Sequence, residues 1–398
     1  MKKTLEKVLT IGLLAILCFG CKEDNNLKPI EQDGIPPGEV SNIKVEGVPG
    51  GVIISYTLPT DEDLLYVVGR YQTATGKSRE FKSSFYTNRL LVEGFPDTEV
   101  YQVELFCVDK SGNASKIIIV DVRPQTPQIM STLETLAIIP DFGGFQLTYA
   151  NSSKADLAIH ISTPDEDGNM ALANTFYTAR EGGIFAVRGY EAKLRKFTIQ
   201  IEDKWSNLSE SKEIELIPIY EIMMDKSKFK PVLLPGDAAT TSYDGKMENI
   251  WDGKVLPDGP NCAAHTGIVA TGIPKYFTFD MGATAQLSRF SLQAIADDKH
   301  WFNDVTPKRY EIWGTSEFAA DGSFEGWTKL ATVTTIKPSG LPVGVLTEDD
   351  RVAGRIGDEV NFPLDLPKVR YIRLRCLENW SGNTNMAISE VTFWGNDQ

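Results

Sequence analysis

The sequence predicts an all-β chain, and three observations carry that prediction. Apolar and polar residues alternate in short runs, as in Phe277-Thr278-Phe279 and Phe290-Ser291-Leu292, which is the period of half-buried strands. Across residues 35–218 no segment of convincing length keeps a helical period. A strand-turn-strand design also recurs, in YQVELFCVDKSGNASKIIIVDVRP (Tyr101 to Pro124) and KFTIQIEDKWSNLSESKEIELIP (Lys196 to Pro218), with Asp109 and Asp203 94 residues apart.

That interval is close to the roughly 100 residues of an immunoglobulin-type sandwich, so the repeat is one of whole domains. A chain of 398 residues is long enough for more than one core. VIISYTLP (Val52 to Pro59) and LLYVVGRYQT (Leu64 to Thr73) supply earlier strands of the first unit, and GFQLTYANSSKADLAIHIST (Gly144 to Thr163) those of the second. Asp165 to Asn169 forms a hairpin turn; this PDEDGN run lacks the ligand spacing and terminal glutamate of a calcium loop. Both units finish with an Asp-x-x-x-Asn-x-Ser turn, a last strand and a proline, much as fibronectin type III modules do. Together, from Ile35 to about Pro218, they resemble the paired N-terminal domains of unknown function in Bacteroidota surface lipoproteins. The resemblance implies a spacer or partner-binding role without catalytic residues.

The N-terminus sets the expected address. Lys2 and Lys3 precede an apolar run from Val8 to Phe19, which reads as a secretory signal too short to span a bilayer. Cys18-Phe19-Gly20-Cys21 resembles a lipobox, with Phe19 an unusual occupant, and implies diacylation of Cys21 and a lipid anchor in the outer membrane. Lys22-Glu23-Asp24 after that cysteine resembles a surface-export signal, which implies a protein facing the cell exterior. The expected organisation is a signal over 1–20, a flexible tether over 21–34, fibronectin III-like domains over 35–125 and 126–218, and a third domain over 219–398. A net charge of −14, more acidic once the lysine-bearing leader is removed, argues against nucleic acid and against anionic lipid as partners. Of the cysteines beyond the leader, Cys107 and Cys376 share strand faces with apolar residues and are expected to be buried. A bridge from Cys262 to Cys376 is a further option.

From Tyr220 the pattern changes. NIWDGK (Asn249 to Lys254), KYFTFDMG (Lys275 to Gly282), RFSLQA (Arg289 to Ala294), PKRYEIWGTS (Pro307 to Ser316) with Trp327 after it, and VRYIRLRC (Val369 to Cys376) followed by AISEVTFWG (Ala387 to Gly395) read as short strands separated by long loops, as in a jelly roll. In this order they resemble discoidin-like domains, the fold of coagulation-factor C-type modules and family 32 carbohydrate-binding modules, over essentially the whole C-terminal domain. The fold class is therefore two immunoglobulin/fibronectin III-like sandwiches followed by a discoidin-like β jelly roll.

The resemblance also assigns residues. Asp252 and Glu390 match the carboxylates that help hold a structural calcium in the family. Lys254 replaces the second acidic residue often found there, VLPDGPNCAA intervenes before the next motif, and Asp258 is a further carboxylate within it. The alternative is that Asp252 caps its own turn. Ala264-His265-Thr266 matches a Trp-His-Thr motif, lacking its tryptophan, whose histidine bonds a sugar hydroxyl in many relatives.

Two further loops are expected to converge with His265: KHWFND, with His300 and Trp301, and LENWSGNTN, with Trp380 and Asn383. A pyranose presents an apolar C–H face that packs on an aromatic ring and hydroxyls that need directional partners, so this residue mixture suits a carbohydrate. Strand-like alternation allows only one of Trp301 and Phe302 to face the ligand, and Trp301 is assigned that role. Trp313 and Trp394, inside strand patterns, are expected to be buried, and His160 is expected to be structural or simply exposed.

Nucleophile motifs such as Gly-x-Ser-x-Gly are absent, and three β domains leave no room for a catalytic barrel. The expected function is non-catalytic capture of polysaccharide or host glycan at the cell surface, beside a TonB-dependent importer complex of a polysaccharide-utilisation system. The competing class is an adhesion or assembly protein whose discoidin-like domain binds another protein.

Overall fold

The computed structural model describes residues 34–267 and 273–398, so Cys21 and the leader and tether expectations fall outside the described residues. The first unit packs a sheet of Ser41–Val48, Gly51–Thr57 and Arg89–Glu93 on a sheet ordered Ser78–Ser84, Leu64–Gln72, Tyr101–Asp109, Ile118–Val122. Inward residues of the two sheets, among them Ile54, Val67, Leu90, Leu105 and Cys107, form one core. The second unit repeats this plan. Ala137–Asp141, Gly144–Ala150 and Gly182–Val187 face a sheet of Met170–Thr178, Leu157–Pro164, Arg195–Asp203 and Lys212–Leu216.

The repeated turn works the same way twice. Asp109 accepts hydrogen bonds from the Asn113 backbone N–H at 2.8 Å and from its side-chain amide at 2.9 Å, while Ser115 Oγ accepts from Cys107 N at 2.9 Å. Asp203, Asn207, Ser209 and Ile201 N reproduce this set, each bond at 2.9 Å. Each side chain satisfies backbone groups that the turn takes out of the ladder, which explains the shared residue types. Asp165 likewise accepts from Asp167 N and Asn169 N and closes its own hairpin turn. His160 is held between Thr175 and Glu202 on the half-buried face of its sheet.

One element departs from the all-β reading of these units, a helix at Gln128–Thr135. It has no capping side chain and is only two turns long, too short for a periodic signal. Burial of Ile129 and a hydrogen bond from Thr132 Oγ1 to Ala150 O hold it in place.

The third unit is a jelly-roll sandwich. KYFTFDMG and RFSLQA, read as separate strands, are two halves of one strand, Lys275–Gln293. Its first half pairs with Val369–Asn379 and its second with Glu390–Asn396, with a register break between Asp280 and Ala285. Gly282, at φ +74°, lies in that break, where an L side chain would be strained. The strand thus passes from one sheet to the other. Phe277, Phe279, Phe290 and Phe393 are at most 1% exposed in the core between them. Burial of each contributes about 1.5–3 kcal/mol, so the strands carry the stability and leave the loops free for other work.

Cys107, Cys262 and Cys376 are free thiols. Cys262 and Cys376 belong to different apolar clusters and form no bridge, and burial pushes the Cys376 thiol up to about 12.

The loop pocket of the C-terminal domain

Two of the five predicted ligand residues meet in one concavity. His265 and His300 line a pocket of about 240 Å³ together with Tyr243, Asp258, Lys299 and Asp304. His265 is carried by the two-residue strand Ala264–His265, which pairs with Ala387–Ile388, and its N–H donates to Thr240 O at 3.1 Å. Its ring is 9% exposed, and Nδ1 is buried without a hydrogen-bond partner. Burial pulls the imidazole below its ordinary value, only partly opposed by the Thr266 backbone and by the nearby carboxylates of Asp304 and Asp258. The ring is therefore neutral at pH 7 and keeps one nitrogen to offer.

His300 is positioned by Asp297. That carboxylate accepts from His300 Nδ1 at 2.7 Å, from the N–H groups of Lys299 and His300 at 3.0 and 3.1 Å, and from Asp258 N at 2.8 Å. Burial works against the Asp297 charge, but these donors outweigh it and hold the carboxyl below its usual range. With Nδ1 engaged, Nε2 is the free edge of His300, 4.0 Å from Asp304 Oδ2. On the rim, Lys299 Nζ donates to Asp258 Oδ2 at 2.8 Å.

Tyr243, which the sequence reading passed over, supplies the aromatic wall. It is 70% exposed, and its ring stands edge-on to His265 with centroids 4.5 Å apart. Tyr243 and Asp244 adopt φ of +52° and +56°, and Asn261, Phe302 and Asp304 are also positive. These are five of the eight described non-glycine residues with positive φ, all in loops around one pocket. Such backbone persists only where surrounding contacts impose it, and it concentrates at binding sites. The available signal was an aromatic in a short Ser-Tyr-Asp-Gly turn.

The tryptophans differ from expectation. Trp301 is 7% exposed and Phe302 5%, so neither faces solvent as a stacking surface. KHWFND is a run of turns, with Trp301 N bonded to Asp297 O and Asn303 N to His300 O, and the alternation of a strand does not apply to it. Trp301, Phe302 and Ala294 form an apolar cluster against which Ala353, Leu346 and the half-buried Trp380 pack. The cover is a helix at Glu348–Ile356, opened by a capping box of Thr347 and Asp350, in a stretch read without a helix. Gly354 on this helix leaves room for the indole, since a Cβ there would stand 2.5 Å from the Trp301 ring. Arg351 clamps the loop through Asp298 at 2.9–3.2 Å. Trp380 meets Phe302 edge-on, and Asn383 is exposed at the tip of its loop, its amide on Ser381. Neither lines the histidine pocket. Trp313 and Trp394, expected to be buried in their strands, are only half-buried, beneath Lys329 and Arg289.

Asp252 and Glu390 are brought near one another, but the atoms around them do not suit calcium. Glu390 is 4% exposed, and its Oε2 accepts from Gly253 N at 3.0 Å. Its Oε1 accepts from the Lys226 ammonium, which also donates to Thr392 Oγ1 at 2.7 Å. Asp252 Oδ1 accepts from Lys254 N at 2.9 Å, and Oδ2 lies 3.6 Å from Lys254 Nζ. Calcium takes six to eight oxygen ligands, whereas an N–H and an ammonium hold the Glu390 oxygens here. Among the described residues no group of three or more His, Cys, Asp or Glu side chains is arranged to hold a metal.

Fold and loops together define a modular all-β protein, two fibronectin III-like sandwiches carrying a discoidin-like jelly roll with a polar and aromatic pocket among its loops. Three family models, each described as a domain of unknown function (DUF4959, DUF5126 and DUF5000), match residues 37–124, 125–227 and 251–395. The chain is similar to SusE-like protein BT2857, at 50% identity over 44% of this chain and 100% of that one, with a TM-score of 0.43. The chain belongs to the SusE-like protein family. It is also similar to the C-terminal domain of a chitobiase from Bacteroides fragilis, at 16% identity over 44% of this chain and 98% of that one, TM-score 0.29. A two-domain fibronectin type III segment of chicken tenascin matches at 14% identity over 45% of this chain and 99% of that one, TM-score 0.23. No curated protein matches the chain.

Proposed function

We propose that this SusE-like chain is a non-catalytic, glycan-binding lipoprotein of the bacterial surface, and that its pocket takes one sugar ring of a polysaccharide or host glycan. The observation that carries the reading is the Tyr243–His265 pair, an exposed ring edge-on to a buried imidazole whose Nδ1 has no partner. A pyranose laid on Tyr243 would pack its C–H face on the ring and turn a hydroxyl toward His265, with His300 Nε2, Asp304 and Lys299 as further polar partners. At about 240 Å³ the pocket is smaller than a typical cofactor or drug-sized site of about 300–1,000 Å³, which suits a single sugar ring better than a cofactor. Lipidation of Cys21, a place on the outside of the outer membrane, and delivery to a TonB-dependent importer complete the proposal. They rest on the resemblance of the N-terminus to a lipobox and on family membership.

A glycan array probed with the mature protein, alongside Tyr243→Ala and His265→Ala variants checked for native melting, tests it. Binding to a glycan class that both substitutions weaken is the expected result. No glycan bound, or binding indifferent to both, would remove the pocket from consideration and leave a protein partner as the stronger alternative. Mass spectrometry of the mature N-terminus checks the lipid on Cys21 separately.

A further inference from the structure

We infer that the cation joining the two ends of the C-terminal domain is an ammonium of this chain, Lys226, in the place where the discoidin resemblance implies a metal ion. Lys226 sits in a short turn capped by Asp225, directly after the strand Ile222–Met223 that pairs with Trp394 and Gly395. Its Nζ reaches Glu390 Oε1 and Thr392 Oγ1 on the domain's last strand. The other Glu390 oxygen accepts from Gly253 N in the turn after Trp251. One buried carboxylate thus ties the entry segment, the Trp251 turn and the final strand.

Charge and donor chemistry both separate this site from a divalent-ion site. Asp252 and Glu390 bring two negative charges, and Lys226 and Lys254 bring two positive ones at contact distance, so the cluster is neutral without any ion. A divalent ion seated between the carboxylates would lie against two ammonium groups, in a partly buried setting where like charges repel strongly. It would also have to displace the Gly253 N–H, which cannot ligate a cation. A lysine needs none of this rearrangement, since an ammonium is a point charge with three donors, and Glu390 and Thr392 already take two. The lysine also cannot be withdrawn by a chelator. The domain therefore holds its ends together whatever the calcium concentration around it.

The test uses the full mature chain and two readouts. In differential scanning fluorimetry, the wild type is expected to melt at the same temperature, within about one degree, in millimolar CaCl2 and in millimolar EDTA. Isothermal titration with CaCl2 should give no saturable heat. Lys226→Met, which keeps the side chain's length and removes its charge, should lower the melting temperature of the C-terminal domain by about 5 °C or more, because it strands a buried carboxylate. Rescue of that variant by calcium would support the substitution of one cation for the other. Calcium raising the wild-type melting temperature, EDTA lowering it, one-to-one calcium binding by the wild type, or Lys226→Met melting unchanged would each overturn the inference. Should Lys226→Met not fold, the two wild-type measurements still decide.

Discussion

Arg188 donates to Glu221 across the joint between the second and third domains, Nη1 to Oε1 at 3.1 Å, while its Nη2 donates to Asp141 at 3.1 Å. Glu221 also accepts from Ser288 Oγ and, at 3.3 Å, from Arg289, so one carboxylate gathers donors from both domains. The side chains of Arg188, Asp141 and Glu221 are 4–15% exposed. Breaking a buried pair of this kind costs about 3–5 kcal/mol, chiefly by leaving a charge without its partner. Arg188→Ala is expected to loosen the joint, seen as a larger radius of gyration in small-angle scattering and as a melting transition that splits in two.

The joint between the first two domains uses a different device. Arg79 donates to Gly94 O and to Trp205 O, and Asn207 Nδ2 donates to Gly94 O at 3.0 Å. The Trp205 ring packs edge-on against Phe81 beneath the same guanidinium. The repeated turn of the second domain therefore docks on the first. A cation–π contact and a few hydrogen bonds sum to about 1–3 kcal/mol, so Arg79→Ala should leave both domains folded and broaden a spin-label distance measured across the joint. An unchanged distance distribution would mean that Arg79 does not fix the angle.

Trp301 acts as a wedge, and its substitution should read out in stability. Removing a buried indole costs about 3–5 kcal/mol, and the loop that carries His300 loses its anchor. Trp301→Ala should therefore lower the melting temperature of the C-terminal domain, with any loss of glycan binding following from misplacement of His300. Tyr243→Ala, at an exposed position, should shift stability by no more than about 0.5 kcal/mol and weaken glycan binding about 3- to 10-fold, the worth of one stacking contact. Equal effects of the two substitutions on melting would contradict this division.

What the sequence made legible follows from the range of the forces involved. The Asp-x-x-x-Asn-x-Ser turns were readable because Asp109 and Asp203 bond residues four positions away, and strands such as Leu157–Pro164 because burial alternates along them. His265 and His300 were found through a resemblance, and the chain does bring them to one pocket. Trp301 was misread because its burial is set by Gly354 and the Glu348–Ile356 helix, some fifty positions away. That helix carried a local signal, Thr347 three residues before Asp350 with an acidic first turn. Lys226 lay beyond reach, since nothing near it in sequence points to Glu390.

The pH dependence of glycan binding isolates His265. Burial lowers its pKa from the ordinary 6.5, while the groups facing it, Asp304, Asp258 and His300, pull in both directions. A histidine whose folded pKa lies below its unfolded value binds more protons when unfolded, so stability rises with pH through that window and is complete above about 6.5. Binding through a neutral imidazole follows the same sign. Affinity for the glycan should be flat between pH 7 and 8 and should fall as the pH is lowered from 6.5 toward 5, together with the melting temperature of the C-terminal domain. His265→Gln keeps a neutral hydrogen-bonding side chain and removes the titration, so its affinity, though lower at pH 7.5, should hold level down to pH 5. A decline of the same steepness in that variant would show that the acid effect does not come from His265.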